Sequence, residues 1–250
     1  MLKTVLVGTL ALVAGSAVMV RADAKDDVTG AANKLADANS YSWTTASEGA
    51  NGPGGGGVDG KTEKDGYTSL TMHFGDNTRE MIRKGEKVVI HTDDGWQTPE
   101  EMAAARGNDQ NNQGQGRRRG RGRGMGNFTL PADEIKRLAD STKGLQQSGD
   151  VISGDMSEDG VKQFMMFGRR GRRGGNAQGQ GNGPEISNAK GTVKFWVDNG
   201  NINKVEYHVT GTVSFNGNDR DIDRTTTITI KDVGSTKVEV PEDAKKKLEG

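Results

Sequence analysis

The chain has 250 residues, no cysteine and a formal net charge of zero. Disulfide bonds are therefore excluded, and a hydrophobic core must stabilise the fold without them. Only 31% of the residues are apolar, and many of the 38 glycines are concentrated in tracts at 49–60, 107–126 and 168–183. Outside those tracts the apolar fraction is typical of a globular domain, so the sequence predicts one folded domain with Gly-rich loops.

The charges are unevenly distributed along the sequence. The segment 106–126 carries a net charge of +5 and the segment 168–184 carries +4, whereas residues 1–24 carry +1 and the remaining residues carry −10. We therefore expect an acidic domain with two strongly basic, disordered Arg/Gly-rich loops, whose charge could attract anionic partners.

The first 24 residues have the pattern of a secretory signal peptide. Lys3 precedes an apolar run over residues 5–20, and Ala-Asp-Ala at 22–24 is the small-x-small pattern of a cleavage site. An uncleaved membrane anchor is the alternative, but the run is at the short end of the roughly 20 apolar residues that a span needs. The sequence thus predicts a periplasmic or secreted protein of residues 25–250 with no transmembrane segment after cleavage, which argues against cytosolic nucleotide chemistry and genome binding.

The first half of the mature chain begins with a helix and continues as short strands. Apolar residues recur at helical spacing over 27–38, and from Ser40 the pattern changes to strand alternation. Turn residues then separate three further strand-like runs, so that four or five strands joined by tight turns are predicted to form an antiparallel meander. The three runs are Tyr67–Phe74, Thr78–Arg83 and Lys87–Thr92.

Two helices are predicted in the middle of the chain. Thr98, Pro99 and Glu101 form a capping box with proline at the first helical position, and this helix ends in the first Arg/Gly-rich tract. The second helix begins at Pro131 and has an apolar stripe that includes Ile135.

Strands resume after the second helix. Alternation predicts strands over 150–157, 161–167, 191–197, 202–215 and 225–231, a last short strand at Val238 and Val240, and a terminal helix from Pro241. The chain then has about ten strands, and none alternates with a crossover helix. We therefore predict an α+β, mainly β fold, in which a few amphipathic helices cover a large curled antiparallel sheet, or half-barrel.

This order of elements resembles the bacterial outer-membrane lipoprotein carrier superfamily, which includes periplasmic lipoprotein chaperones and mycobacterial lipid-binding lipoproteins. The resemblance covers most of 27–248 and rests on the signal peptide, the helices between two meanders, and the ending Thr225–Ile230 followed by Val238–Ala244. It implies a half-open antiparallel barrel with helices inserted as a lid over an apolar cavity. The two Arg/Gly-rich segments and the Gly-rich tract at 52–57 are not part of the family pattern.

On this interpretation the protein is an exported, non-catalytic binding protein that carries a lipid or a lipoprotein acyl chain in an apolar cavity. Strand and helix periodicity indicates which side chains would line that cavity. They are Leu70, Met72, Phe74, Ile90, Trp96, Met102, Ile135, Leu138, Phe164, Phe195 and Tyr207. Trp96 has a second interpretation, as an anchor that holds the following helix on the sheet.

The alternative function is that of an extracytoplasmic structural or adhesion protein. Arg-Gly repeats bind polyanions through phosphate contacts and guanidinium stacking, and outside the cytoplasm the partners would be anionic polymers or membrane head groups. A second interpretation is that both tracts are solvated loop expansions without a ligand. The candidate polyanion-binding residues are Arg117, Arg118, Arg119, Arg121, Arg123, Arg169, Arg170, Arg172 and Arg173.

The sequence predicts no catalytic residue, no metal and no cofactor. His73, His91 and His208 lie in predicted strands in phase with polar neighbours, which favours solvent-facing side chains over a zinc site. No serine lies on a recognisable nucleophile elbow. The acidic loop over 216–223 lacks the glycine position and the terminal glutamate of a calcium loop.

Overall fold

The structure, a computed structural model, describes residues 24–49, 56–107, 128–165, 184–215 and 217–250. These residues form five helices and eleven strands. The helices are α1 (Ala24–Asp37), α2 (Pro99–Gly107), α3 (Pro131–Asp140), α4 (Glu158–Met165) and α5 (Glu242–Glu249). The strands are β1 (Ser40–Glu48), β2 (Val58–Glu63), β3 (Tyr67–Phe74), β4 (Asn77–Lys84), β5 (Lys87–Thr92), β6 (Gly95–Gln97), β7 (Thr142–Ser148), β8 (Val151–Met156), β9 (Glu185–Asp198), β10 (Asn201–Phe215) and β11 (Asn218–Lys231).

All eleven strands belong to one curled antiparallel sheet with the order β6-β5-β4-β3-β2-β1-β11-β10-β9-β8-β7. The first and last strands pair at its centre, where Ser42 lies opposite Lys231, and a meander leads from that pair to each edge. The edge strands β6 and β7 are neighbours in the sequence, so α2 and α3 belong to the connection between the two edges. The predicted fold class, α+β and mainly β, is confirmed.

Side chains at alternate strand positions divide the sheet into two faces. Met81 and Ile90 belong to the main core with α1, α3 and α4, whereas Ile82 and Val89 pack against α5 on the other side. We call the first side the concave face and the second the convex face. The concave face carries the main hydrophobic core, and the predicted strands over Tyr67–Phe74 and Lys87–Thr92 are formed with those bounds.

Three glycines on the concave face make room for the side chains that cover it. A Cβ atom at Gly60 would lie 2.1 Å from the Trp43 ring, so the indole packs directly over the β2 backbone. Cβ atoms at Gly191 and Gly211 would each lie 2.9 Å from an α4 side-chain atom, of Val161 and Met165 respectively. The two glycines therefore let α4 pack closely against β9 and β10.

The predicted strand at 161–167 is wrong, because its described part belongs to helix α4. The Gly160 N–H donates a hydrogen bond of 3.2 Å to Ser157 Oγ, which caps the first turn. Val161 and Phe164 lie three residues apart on the buried side of the helix. The apolar residues of this segment therefore follow the helical period.

The short strand predicted at Val238 and Val240 is not formed either. The Val238 N–H donates a hydrogen bond of 3.1 Å to Glu63 Oε1, so a side chain of β2 accepts it instead of a neighbouring strand. Conversely, the prediction missed β2 and β7, whose sequences Val-Asp-Gly-Lys-Thr-Glu and Thr-Lys-Gly-Leu-Gln-Gln-Ser contain little apolar alternation. The terminal helix after Pro241 is confirmed as α5.

Candidate ligand-binding face

The centre of the concave face is filled by packed side chains. Phe164 of α4 and Tyr207 of β10 lie with their ring centroids 5.3 Å apart, tilted by 56°. Seven of the eleven predicted cavity residues are buried in this core. They are Leu70, Ile90, Ile135, Leu138, Phe164, Phe195 and Tyr207. Aromatic and aliphatic contacts of this kind hold the helices on the sheet.

The other four predicted cavity residues lie elsewhere. Met72 and Met102 are half-buried at the margin of the same core. Phe74 is 43% exposed at the end of β3. Trp96 packs against the α5 cluster on the convex face, 5.0 Å from the His91 ring, so the prediction that it lines the concave face is wrong. Its orientation follows from its pairing with His91 across a two-residue turn.

One row of side chains on the concave face is more open on β1–β4 than on β11 and β10. The register places Thr45, Val58, Met72 and Arg79 side by side in one row across these four strands. The first three are half-buried and the arginine is exposed, whereas the same row is buried where it continues onto β11 and β10. We call these four residues, together with Phe74, the open patch.

Charged side chains are segregated between the two faces of the sheet around the open patch. At the concave positions of β1–β4, β10 and β11 the charged residues are all arginine, whereas the acidic residues of these strands occupy convex positions. The concave arginines are Arg79, Arg83, Arg220 and Arg224. The convex acids are Glu48, Asp59, Glu63, Glu80, Glu206, Asp219, Asp221 and Asp223. An anion therefore meets only positive strand side chains on the concave face.

Val58 and these arginines were not predicted from the sequence. A signal for the arginines is present in β11, where Asp219–Arg224 reads Asp-Arg-Asp-Ile-Asp-Arg. Because successive side chains of a strand point to opposite faces, this pattern places acids on one face and arginine or isoleucine on the other. The prediction of an acidic loop over 216–223 did not take this alternation in charge into account.

Arg224 connects the sheet to the end of α4. Its Nη2 donates a hydrogen bond of 2.7 Å to the carbonyl oxygen of Phe164, and its buried Nε has no hydrogen-bond partner among the described residues. Glu134 on α3 lies close enough to interact with the Arg224 charge, and it accepts a hydrogen bond of 3.0 Å from the Tyr207 hydroxyl. Burial raises the pKa of the Glu134 carboxyl, although this hydrogen bond and the charges of Arg137 and Arg224 oppose the change. Burial also raises the pKa of the Tyr207 hydroxyl well above its ordinary value.

Arg83 holds the chain just before α3. Its guanidinium carbon lies 4.3 Å from the centroid of the Phe128 ring, a cation–π contact. Burial lowers the pKa of Arg83, and the neighbouring carboxylate of Asp133 opposes that change. Phe128 follows the segment 108–127 directly, so this segment rejoins the described structure at a concave-face arginine.

The nine candidate polyanion-binding arginines, from Arg117 to Arg173, lie outside the described residues. The predicted signal peptide, apart from Ala24, and the Gly-rich segment 50–55 also lie outside them. Their assignments stay predictions. Among the residues that the structure describes, no helix combines the length and the apolar character that crossing a bilayer requires.

Two histidines on the convex face each pair with one aspartate. His73 Nε2 lies 2.8 Å from Asp59 Oδ2, and His208 Nε2 lies 2.8 Å from Asp223 Oδ1. Within the described ranges, no group of three or more histidines and carboxylates is placed to hold a metal ion. These pairs are exposed cross-strand contacts of the kind that stabilises a sheet.

A groove of about 480 Å³ lies away from the open patch, beside the C-terminus of α1. Its apolar walls come from α1, from the start of β10 and from the turn after β11. These apolar residues are Ala31, Leu35, Ala38, Ile202 and Val233. None of the eleven predicted cavity residues lines this groove, which is open and contains charged side chains such as Lys34 and Asp37.

No protein-family model and no curated protein matches this chain. Among solved structures, the chain is similar to the lipoprotein LppX of Mycobacterium tuberculosis, with a TM-score of 0.42 and 9% identity over 87% of this chain and 98% of that chain. It is also similar to LprF from Mycobacterium bovis, with a TM-score of 0.43 and 11% identity over 89% of this chain and 97% of that chain. This likeness is of the kind that the order of elements predicted, but TM-scores below 0.5 establish neither a shared ligand nor a shared function.

Proposed function

We propose that this protein is an extracytoplasmic, non-catalytic binding protein that carries one lipid or one lipoprotein acyl chain on its concave face. The observation that carries the proposal is the open patch, in which half-buried Val58 and Met72 continue the surface of the buried core. Ligand sites are mostly apolar and bordered by a few placed polar groups, and Val58, Met72 and Phe74 beside Arg79 match that composition. The signal-peptide pattern of residues 1–24 supports a location outside the cytoplasm.

The proposed binding position differs from the deep cavity predicted from the sequence. Leu70 and Phe195 are buried in the packed core. Met72 is the next concave residue after Leu70 on β3, and its side chain is half-buried at the edge of that core. A ligand at the open patch would therefore extend the core surface without displacing core side chains.

Native mass spectrometry with lipid extraction tests this proposal on protein purified from a host that exports it. We expect acyl-chain species to co-purify with the wild-type protein and to be lost from Val58→Asp and Met72→Asp, because each change places a charge in the apolar part of the patch. Thr71→Asp is the matched control, since Thr71 is the neighbour of Met72 on the convex side of the same strand. A ligand-free mass for the wild-type protein, with the sheet intact by circular dichroism, would contradict the proposal.

A second candidate function is polyanion binding through the Arg/Gly-rich segments. Two observations favour it. The first is the +5 and +4 charge of these segments. The second is that described residues close to each segment contact an arginine of the sheet. Phe128, next to the first segment, contacts Arg83, and Phe164, two residues before the undescribed segment 166–183, contacts Arg224. Each segment therefore has one end near a concave-face arginine, and we expect its charge to add to that of the sheet.

A further inference from the structure

We propose that the open patch selects amphiphiles with an anionic head group, a carboxylate or a phosphate, and that Arg79 binds this group while the apolar tail lies across Met72 and Val58. This inference rests on the proposed function and names its ligand class. It is carried by the order of side chains along one register row and by the distribution of charge between the two faces.

Along the register row the side chains change from polar and exposed to apolar and buried. This order matches the order of polarity from the head group to the tail of an amphiphile. It begins at exposed Arg79, continues through half-buried Met72, Val58 and Thr45, and ends in the core at Ile228, which is 1% exposed. A head group at the arginine would stay in contact with water, whereas a tail directed toward β1 would become progressively buried. Apolar burial would then supply affinity, and the head group would fix the direction of the ligand.

The length of the row suits a single acyl chain. Three strand spacings separate Arg79 from Thr45, which corresponds to about 14 Å. One acyl chain in a bilayer covers half of the hydrocarbon core, or about 15 Å. The half-buried part of the row, from Met72 to Thr45, spans two strand spacings, or about 10 Å, so it can accept about two thirds of one extended chain with the head group at Arg79.

The charge of the concave face favours an anion at that end. The charged strand residues around the patch are arginines, and the nearest acids on the same strands, Glu80 and Asp59, point to the convex face. A guanidinium also presents several N–H donors in a plane, which suits the paired oxygens of a carboxylate or phosphate. A cationic head group would meet only like charge on these strands, and a neutral one would gain no ion pair.

The experiment compares two fluorescent probes that differ only in the head group, cis-parinaric acid and its methyl ester, on the full exported protein. We expect the acid to bind about tenfold or more tightly than the ester. Arg79→Gln should remove most of that preference while ester binding stays within about twofold, and Arg79→Lys should retain a preference because the charge remains. Lys61→Gln is the matched control: it removes one positive charge from an exposed convex position of β2 and should change neither probe.

Inorganic phosphate as competitor separates the two sources of an anionic group. If phosphate displaces the acid but not the ester, Arg79 recognises a free anion. If phosphate displaces neither probe and the preference for the acid remains, the anionic group is recognised only when it is attached to an apolar tail. A variant with all nine arginines from Arg117 to Arg173 changed to serine should retain the preference. If only this variant loses it, the undescribed segments hold the head group and the inference is wrong.

The remaining outcomes separate this inference from the proposed function. Equal binding of acid and ester by the wild-type protein would overturn the head-group inference and leave acyl-chain binding in place. Loss of both probes in Arg79→Gln, with an unchanged circular dichroism spectrum, would also overturn it, because Arg79 would then shape the patch instead of binding the anion. Binding of neither probe by the wild-type protein would contradict the proposed function itself.

Discussion

The Tyr207 hydroxyl donates a hydrogen bond of 3.0 Å to the Glu134 carboxyl, so the middle of the sheet and helix α3 share one part-buried polar contact beside the main core. Polar groups in such surroundings stabilise a protein while they are hydrogen-bonded, and an ionised group there is costly unless its charge is paired. The contact therefore leads to two predictions, one about the proton on Glu134 and one about its donor.

Ionisation of Glu134 should destabilise the folded protein. Burial raises the pKa of this carboxyl above its ordinary value of 4.5, so the folded state holds the proton more tightly than the unfolded state does. The protonated Glu134 carboxyl therefore makes its full contribution to stability below its pKa in the unfolded state. This contribution is lost as the pH rises through its pKa in the folded state. The free energy of unfolding of the wild-type protein should therefore fall relative to that of Glu134→Gln as the pH rises above the ordinary carboxyl value of 4.5. Urea denaturation of both proteins at a series of pH values above that point measures the difference, and parallel pH profiles would contradict the prediction.

Removal of the Tyr207 hydroxyl should cost more than removal of an exposed one. Tyr207→Phe leaves the Glu134 oxygen without its donor, and we expect a loss of about 1–3 kcal/mol in the free energy of unfolding. Tyr67 is the matched control, because its hydroxyl donates to Glu249 Oε1 at an exposed position on the convex side. Tyr67→Phe should cost less than about 1 kcal/mol, and equal losses from the two changes in urea denaturation would count against the buried contact.

Two glycine-to-alanine changes should act in opposite directions. A Cβ at Gly60 would lie 2.1 Å from the Trp43 ring, so Gly60→Ala should destabilise the protein by about 1–3 kcal/mol through overpacking. Gly30 is exposed on α1, and no atom lies within 4 Å of the position that an alanine methyl group would take, so Gly30→Ala should stabilise the protein by about 0.5–1 kcal/mol. Thermal unfolding of the two variants beside the wild-type protein checks both signs.

The second candidate function predicts salt-sensitive retention on heparin. Retention should fall when the nine arginines from Arg117 to Arg173 are changed to serine, because ion pairs with a polyanion release counterions and weaken as salt rises. A control variant changes Lys61, Lys87 and other exposed convex lysines to glutamine. It lowers the total positive charge without altering the Arg/Gly-rich segments. Undiminished retention of the serine variant would exclude these segments as the polyanion-binding site.

Alternation in the sequence was sufficient to predict strands such as β3 and β5, because an apolar residue at every second position defines a half-buried face. It could not separate Leu70 from Met72, which share that face. Leu70 is buried under the main core and Met72 lies at its margin, and the difference depends on helices that come from distant parts of the chain. Sequence periodicity therefore predicted the face of the candidate site but not its open part.

The wrong assignment of α4 has a similar cause. Its apolar residues are also compatible with a short strand, and partners elsewhere in the chain add to the local helical signals of the Ser157 cap and the spacing of Val161 and Phe164. Gly191 and Gly211 provide the space into which Val161 and Met165 pack, and these glycines belong to strands that follow α4 in the sequence. Local propensity is a weak guide where tertiary contacts of this kind decide the outcome.

The pairing of β1 with β11 also has a consequence for biogenesis. If the chain is exported from its N-terminus, β1 emerges early, and its central hydrogen-bonding edge stays unpaired until β11 has followed it. An unpaired strand edge can template association with other chains, and pairings between distant segments form slowly. The protein would therefore spend the interval before β11 arrives as two half-sheets, and this interval is when a holding chaperone would be most useful to it.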